Sequence, residues 1–214
     1  ENELPVGKNP LQVYSRATPN GVKGTRLLEE LLEIGKEGAE YDAWLINIGQ
    51  GDQFGSGFVD INPKSKIPAL LDHSTTPPTR VFESGAILLY LAEKYDQFLP
   101  TDQRLRVQAI EWLMWQMGGL GPMLGQNHHF NRYAPEDVLY AIKRYSDETL
   151  RLYVVLNRRL IDRDYIAGSY STADIAVYPW VNRYEWHQTD IDRFPAVKRW
   201  YQIIGERPGV VRAY

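Results

Sequence analysis

The fold of the first half is decided by residues 11–35, which read LQVYSRATPNGVKGTRLLEELLEIG. The opening LQVYS alternates and is rich in β-formers, so it predicts a strand. The segment Thr18–Gly21 has turn chemistry, because proline presets one backbone angle and asparagine and glycine accept left-handed conformations. Residues 22–34 repeat leucine at helical spacing and end at Gly35. The order strand, turn, helix follows.

Three more strands and a helix are predicted downstream, at residues 41–46, 67–72 and 79–82 for the strands and 84–95 for the helix. A strand–helix–strand unit requires a parallel pair with a right-handed crossover. The last two strands are joined by a short polar turn containing Pro77 and Pro78, which predicts an antiparallel hairpin. The order βαβ–ββα predicts a thioredoxin-like mixed sheet.

The second half has helical periodicity almost throughout. Helices are predicted at residues 103–117, 135–162, 171–186 and 195–206. The segment 98–101 (FLPT) interrupts the pattern before them. The fold class is therefore α/β plus all-α, with a first domain at 1–97 that begins with an extended lead-in at 1–10, and an all-helical domain at 102–214.

Charge and hydropathy exclude several classes of partner. The 27 acidic and 24 basic residues give a net charge of −3 and are spread along the chain, so no basic stripe is available for a nucleic-acid backbone. No apolar run approaches the roughly 20 residues of a membrane helix, and ENELPVGKNP lacks the features of a signal peptide. We expect a soluble, cytoplasmic protein with no nucleic-acid or membrane partner.

The sequence contains no cysteine. Disulfides, thiolate metal sites and a thiol nucleophile on the enzyme are therefore excluded, and any thiol chemistry must use the sulfur of a ligand. His128 and His129 are adjacent and lack the spacing of zinc ligands, so we expect no metal. The motif Ser171-Thr-Ala-Asp174 is typical of a capping box that begins a helix, with a role in folding.

A candidate anion site lies at residues 82–85 (FESG), where a helix follows a strand directly. Ser84 is placed to cap that helix, and the free N–H groups and positive dipole end favour a carboxylate. Pro68 opens a strand without an N–H to donate and can be cis in a tight turn, which leaves the Ile67 backbone available to pair with an extended ligand. A peptide-like ligand suits both features.

Three motifs in this order resemble one family. They are TPNG at 18–21, FESGAILLYL at 82–91 and GGLGPMLGQNHH at 118–129. Together with the helical second half, they resemble the Nu class of the glutathione transferase superfamily, the bacterial glutathione-dependent disulfide-bond oxidoreductases of the YghU and YfcG type. The lead-in LPVGK at 4–8 is similar to the YghU type, whereas 118–129 is nearer to the YfcG type, so the subgroup stays open.

The resemblance implies a set of site residues in this chain. Glu83 and Ser84 would hold the γ-glutamyl end of glutathione, and Ile67 would pair with its cysteinyl backbone. Thr18 and Asn20 would face the sulfur as catalytic groups. Hydrogen-bond donors that prefer the charged form lower the pKa of a thiol, so these two would stabilise a thiolate.

Further positions are implied by the two glutathione molecules that members of this class accommodate in each active site. Gln53 would contact the ligand from the loop after the second strand. Arg144 would place a cation near the sulfurs and count among the catalytic groups. Gln116 would touch the ligand or a partner subunit. The resemblance also implies a homodimer in which the first domain of one subunit meets the second domain of the other.

The residues alone leave alternatives for several of these positions. Thr18–Gly21 can be a simple turn with Asn20 as the helix cap. Tyr14 and Ser15 stand where other transferase classes place a catalytic residue, although a tyrosine in a strand more often serves packing. Arg144 can be a solvated helical charge.

The function implied is a glutathione-dependent disulfide-bond reductase, with glutathione as cosubstrate. An alternative directs the same thiolate at an electrophile, an aryl ether or a hydroperoxide. A non-catalytic glutathione-binding regulatory module is a second alternative, since a fold by itself does not establish catalysis.

Overall fold

The computed structural model describes residues 3–214, which form two compact units. The first unit contains the residues up to Gln97 together with Arg207–Tyr214. Its strands are β1 (Leu11–Ser15), β2 (Tyr41–Leu45), β3 (Ala69–Asp72) and β4 (Thr79–Phe82), and its helices are α1 (Lys23–Glu33), α2 (Ser56–Ile61), α3 (Ser84–Tyr95) and, from the end of the chain, α9 (Pro208–Arg212). The expected lead-in has no strand or helix at residues 3–10, and residues 1–2 lie outside the described part.

The four strands form one mixed sheet in the order β2-β1-β3-β4. β1 pairs with β2 in parallel, from Leu11 opposite Tyr41 to Ser15 opposite Leu45. β3 is antiparallel to both β1 and β4. The predicted thioredoxin-like sheet is therefore confirmed, because β1–α1–β2 supplies the parallel pair and β3–β4 the hairpin.

Helix α1 buries a face that carries both leucines and charges. Leu27, Leu28 and Leu31 are fully buried, as their helical spacing predicts. Glu30 is also buried, and its carboxylate accepts two hydrogen bonds from Arg207, at 2.8 and 2.9 Å. An ion pair with a buried member therefore holds the end of the chain against α1.

The placement of the chain end differs from the sequence-based domain boundary. Residues 207–214 were expected in the second domain, but they belong to the first unit. Arg212 donates to the carboxylates of Glu29 and Glu33, and Val210 is buried. Local sequence patterns do not contain this information, because the partners are separated by more than 170 residues.

The second unit spans Phe98–Glu206. It contains α4 (Gln103–Trp115), α5 (Gly121–His128), α6 (Leu139–Leu160), α7 (Thr172–Val181) and α8 (Pro195–Gly205). Wide helical turns at Gln116–Leu120 and His129–Tyr133 border α5, and a short 3₁₀ turn precedes α8. All four predicted helices are shorter than expected, and the two largest differences are that α6 begins at residue 139 rather than 135 and that α7 ends at 181 rather than 186.

The predicted capping box is present at the start of α7. Ser171 Oγ accepts the Ala173 N–H at 3.3 Å, and Asp174 Oδ2 accepts the Ser171 N–H at 3.0 Å. Asp174 Oδ1 also accepts from the Ile166 N–H at 3.0 Å and from Trp200 Nε1 at 2.8 Å. This buried carboxylate joins a loop and two helices of the second unit.

Within residues 3–214, no helix is both long and apolar enough to cross a membrane.

Candidate functional site

The turn before α1 is built by Thr18. Its Oγ1 accepts the Gly21 N–H at 3.0 Å, and its carbonyl accepts the Val22 N–H at 3.1 Å. Since the Thr18 oxygen accepts inside the turn, its hydroxyl hydrogen is available to a ligand. The cap position of α1 falls on Val22, which provides no side-chain cap. The alternative that Asn20 caps this helix is therefore wrong.

A cavity of about 360 Å³ opens in the first unit beside this turn. Thr18, Asn20, Gln53 and Ile67 all line it, so the structure brings together four of the predicted site residues. Gln53 Nε2 donates weakly to the Ile48 carbonyl at 3.5 Å, and Gln53 Oε1 is buried without a hydrogen-bond partner in the described chain. That oxygen is free to accept a donor from a ligand.

The backbone of Ile67 lies outside the sheet. The Ile67–Pro68 peptide bond is cis, and the β3–β4 ladder begins at Ala69, opposite Phe82. Ile67 therefore borders the cavity with a peptide unit that the ladder does not use. An extended ligand can pair with such a unit as an additional strand does.

Glu83 holds a left-handed backbone conformation, with φ of 69° and ψ of 118°. For a residue with a side chain, this conformation costs about 1–3 kcal/mol, and such outliers cluster at functional sites. Helix α3 begins at Ser84, so the cap position falls on Glu83 and not on Ser84, where the sequence predicts it. The Glu83 carboxylate pairs with Lys64, which also lines the cavity.

Lys23 connects the turn to the start of α3. Its Nζ donates to Asn20 Oδ1 at 2.8 Å and to Ser84 Oγ at 3.1 Å. The side chain is fully buried, and burial lowers the pKa of its ammonium to about 7 although Glu83 acts in the opposite direction. Sequence reasoning missed this residue. The available signal was its position four residues before Leu27, on the apolar face of α1.

The hydroxyl groups of Tyr14 and Ser15, the alternative catalytic residues, donate to backbone carbonyls within the first unit. The Tyr14 side chain is fully buried, its hydroxyl donates to the Pro5 carbonyl at 2.8 Å, and burial raises its pKa. Ser15 Oγ donates to the Gly21 carbonyl at 2.8 Å. Neither residue lines the cavity beside Thr18 and Asn20.

The second unit carries the other two predicted positions. Arg144 lines a cleft of about 530 Å³ with Met123 and Tyr145. The acidic groups of the same cleft are paired with other cations: Arg151 donates to both carboxylate oxygens of Glu148, and Lys143 pairs with Asp147. The charge of Arg144 is therefore available to an anion in this cleft.

Gln116 is buried in the second unit, where the side-chain amide lies against Gly121. Its exposed fraction is 1% in the described chain. Its placement by the resemblance stays a prediction.

Residues 3–214 contain no group of three or more metal-ligating side chains that could hold an ion. The His128 ring stacks on His187, with ring centres 4.2 Å apart, rather than converging with it on a common point. Burial lowers the pKa of His128 to about 4, with Arg183 and Arg132 adding to the shift. This stacked pair is a packing feature of the second unit.

Comparison with known proteins identifies the family. Residues 22–93 match the model of the glutathione S-transferase N-terminal domain, and residues 138–208 match that of the C-terminal domain. The chain therefore belongs to the glutathione S-transferase family, as its motifs indicated.

Two curated relatives are similar over almost the whole chain. The disulfide-bond oxidoreductase YghU of Escherichia coli K12 is 52% identical over 221 residues, covering 99% of this chain and 76% of the relative. The disulfide-bond oxidoreductase YfcG of the same organism is 49% identical over 209 residues, covering 95% of this chain and 94% of the relative. The predicted likeness to this type of protein is confirmed.

Solved structures have the same fold. The glutathione transferase YghU from Streptococcus pneumoniae, complexed with glutathione, has a TM-score of 0.95 at 45% identity, covering 100% of this chain and 85% of the other. A glutathione transferase from Burkholderia graminis, with two glutathione molecules bound per subunit, has a TM-score of 0.86 at 42% identity, covering 96% and 87% of the two chains.

Proposed function

We propose that this protein is a glutathione-dependent disulfide-bond reductase that uses the thiolate of bound glutathione. The observation that carries the proposal is the cavity lined by Thr18, Asn20, Gln53 and Ile67 in a chain without cysteine. A site with polar groups for a peptide-like ligand but no thiol of its own suits an enzyme whose nucleophile arrives with the ligand. The names of the two relatives from Escherichia coli support the same reaction.

Glutathione binds across the first unit in this proposal. Its γ-glutamyl end lies at the start of α3, where Glu83 pairs with the ligand's ammonium and the backbone around Ser84 receives its carboxylate. The cysteinyl backbone pairs with Ile67, and Gln53 Oε1 accepts a further N–H. The sulfur then lies near Thr18 and Asn20.

Thr18 and Asn20 act as donors to the sulfur. Hydrogen bonds that favour the charged form lower the pKa of a thiol, and each unit below the ordinary value of about 8.5 corresponds to about 1.4 kcal/mol. The hydroxyl hydrogen of Thr18 and the N–H groups of Asn20 can both point at a thiolate. A larger fraction of bound glutathione is then ionised at neutral pH.

The reaction is a pair of thiol–disulfide exchanges. The first thiolate attacks one sulfur of the substrate disulfide, which forms a mixed disulfide and releases one substrate thiolate that takes up a proton. A second glutathione thiolate attacks the glutathione sulfur of the mixed disulfide and releases the other substrate thiol. Two glutathione molecules are thereby oxidised to one glutathione disulfide, and one substrate disulfide is reduced to two thiols.

Arg144 assists the second glutathione in this proposal. Its guanidinium lies in a cleft whose acidic groups already have cationic partners, so it can attract an anionic ligand. The two glutathione molecules bound per subunit in the Burkholderia graminis transferase support a second site.

The assembly and the cellular location belong to the same proposal. We infer a homodimer of the kind implied by the family resemblance, which light scattering would test. We also infer a cytoplasmic location, where glutathione is kept reduced. Localisation of a tagged protein would test it.

The experiment measures reduction of hydroxyethyl disulfide by glutathione, coupled to glutathione reductase, for the wild type, Asn20→Ala and Asn20→Asp. Asn20→Asp is the matched variant, because it keeps the shape and the oxygen facing Lys23 but replaces the N–H donors by an acceptor. We expect both variants to lose about 10- to 100-fold in kcat, while glutathione binding changes by less than about threefold.

Two results would contradict parts of the proposal. Unchanged turnover in both variants would remove Asn20 from the mechanism. A wild-type protein that binds no glutathione, or binds it without reducing any disulfide, would overturn the proposed function.

A further inference from the structure

Lys23 lies beneath the proposed glutathione site, at a position that none of the predicted roles includes. It is the first residue of α1, and its side chain is fully buried. Its Nζ donates to Asn20, at the sulfur end of the proposed site, and to Ser84, at the γ-glutamyl end. A single amino group therefore joins the two ends.

The chemistry of an ammonium group determines the orientation of the Asn20 amide. In its charged form the amino group has three donors and no acceptor, so the atom of Asn20 that faces it is the oxygen. The oxygen and nitrogen of a carboxamide point in different directions from the same carbon. The N–H donors of Asn20, which borders the cavity, are therefore directed away from Lys23.

We propose that Lys23 is a positioning residue for the glutathione thiolate: it holds Asn20 with the N–H donors toward the sulfur and adds a buried positive charge that favours the thiolate. The proposal rests on the function proposed above, because it assumes that the sulfur of glutathione lies beside Asn20. Lys23 does not contact the sulfur in this arrangement. Lys23 acts by orienting Asn20 and through the electrostatic field of its own charge.

The acidic group that acts on the pKa of Lys23 is shared with a second cation. Glu83 is the acidic group that raises its pKa, but the Glu83 carboxylate already pairs with Lys64. The acidic residues farther along α1 are paired with arginines, in the pairs Glu30–Arg207, Glu29–Arg212 and Glu33–Arg212. A ligand that brings a negative charge into the cavity would stabilise the charged form of Lys23 and be stabilised by it.

The decisive variant is Lys23→Met, which keeps the length of the side chain but removes the charge and the donors. The control is Lys36→Met, which changes a lysine three residues beyond the opposite end of α1, a helix about 16 Å long. Both variants are made in the whole chain of 214 residues.

The first readout is the pKa of the bound glutathione thiol, followed by the ultraviolet absorbance of the thiolate. Because the chain contains no cysteine, the thiolate signal belongs to the ligand alone. We expect Lys23→Met to raise the pKa of the bound thiol by at least about one unit and to lower kcat at neutral pH by about tenfold or more. Lys36→Met should match the wild type in both.

A purely structural role of Lys23 would give a different result. In that case Lys23→Met would change thermal stability but leave the pKa of the bound thiol and kcat at the wild-type values, and the proposal would be wrong. This failure is distinct from failure of the proposed function, in which the wild type itself would show no glutathione binding or no disulfide turnover.

If Lys23→Met does not fold, a measurement on the unaltered protein tests the same proposal. The ε-carbon NMR signals of lysine are titrated without ligand, with glutathione and with S-methylglutathione, which has no thiol to ionise. We expect one lysine to titrate near neutrality and glutathione to move its titration to higher pH by more than S-methylglutathione does. Equal shifts with the two ligands would overturn the coupling between Lys23 and the sulfur.

Discussion

Lys23 in the first unit and Asp174 in the second are both fully buried charged residues in the first turn of a helix. Burial favours the neutral form of each residue, so it lowers the pKa of Lys23 to about 7 and raises the pKa of Asp174 to about 6. Their surroundings differ. Asp174 accepts from the backbone of Ile166 and Ser171 and from Trp200, all in the second unit.

The partners of Lys23 have a different character. Asn20 borders a cavity, and Ser84 begins the helix whose cap residue, Glu83, is strained. A carboxylate surrounded by donors of its own unit stabilises the fold, whereas a cation beside a cavity is placed to stabilise a ligand. The contrast shows that burial of a charge does not by itself reveal its role; the partners do.

The largest expected effect tests the structural member of this pair. Asp174→Asn should lower the free energy of unfolding by about 3 kcal/mol, because an amide can accept at only one of the two positions where the carboxylate accepts. Denaturant unfolding measures it. The matched control is Asp192→Asn, whose exposed ion pair with Lys198 should contribute little to stability. Equal effects of the two substitutions would contradict the role of Asp174.

The pH dependence of stability should have opposite slopes for the two residues. The pKa of Asp174 is raised in the folded state, so the stability linked to its protonation is fully present below about pH 4 and is lost as pH rises to about 6. The pKa of Lys23 is lowered, so the penalty for burying its ammonium is fully present below about pH 7 and is relieved as pH rises toward about 10.

Unfolding of the wild type, Asp174→Asn and Lys23→Met across this range separates the two contributions. Asp174→Asn should flatten the profile only in the acidic window, and Lys23→Met only in the alkaline one. Lys23→Met should stay within about 1 kcal/mol of the wild type at neutral pH, since losing two hydrogen bonds offsets the removal of a buried charge. Unaltered profiles in both variants would show that neither group titrates in these windows.

The smallest expected effect concerns the strain at Glu83. Glu83→Gly should raise the free energy of unfolding by about 1 kcal/mol, because glycine adopts a positive φ without steric cost. The same substitution should weaken glutathione binding about tenfold through loss of the carboxylate. Glu83→Gln is the control, since it removes the charge but retains the strain. It should weaken binding without stabilising the fold, and a stability gain in this control would show that strain is not the cause.

Local sequence rules predicted most elements of the first unit but missed α2, at residues 56–61, and α9, at residues 208–212. Both helices have only five or six residues, which is too few for a helical periodicity to be recognised. In the second unit, α5 was missed because residues 118–125 contain four glycines, which have low helical propensity. One of these glycines is required by packing, because a side chain at Gly121 would clash with Gln116.

The candidate site was predictable to the extent that local motifs and the family resemblance identify its residues. Thr18, Asn20, Gln53 and Ile67 were all selected from the sequence, and all four line one cavity. Lys23 was not selected, because a lysine within a helix ordinarily lies in solvent. Its burial depends on α3, which meets α1 although the two helices are far apart in the chain.

By itself, the sequence determined the order of strands and helices, the absence of an enzyme thiol and the family, because these depend on periodicity, composition and local motifs. Only the tertiary structure decided that the chain end joins the first unit, that Glu83 is strained and that Lys23 faces Asn20 and Ser84. The physical reason is distance along the chain. Burial, ion pairing and pKa shifts depend on groups that only folding brings together, and no local pattern encodes them.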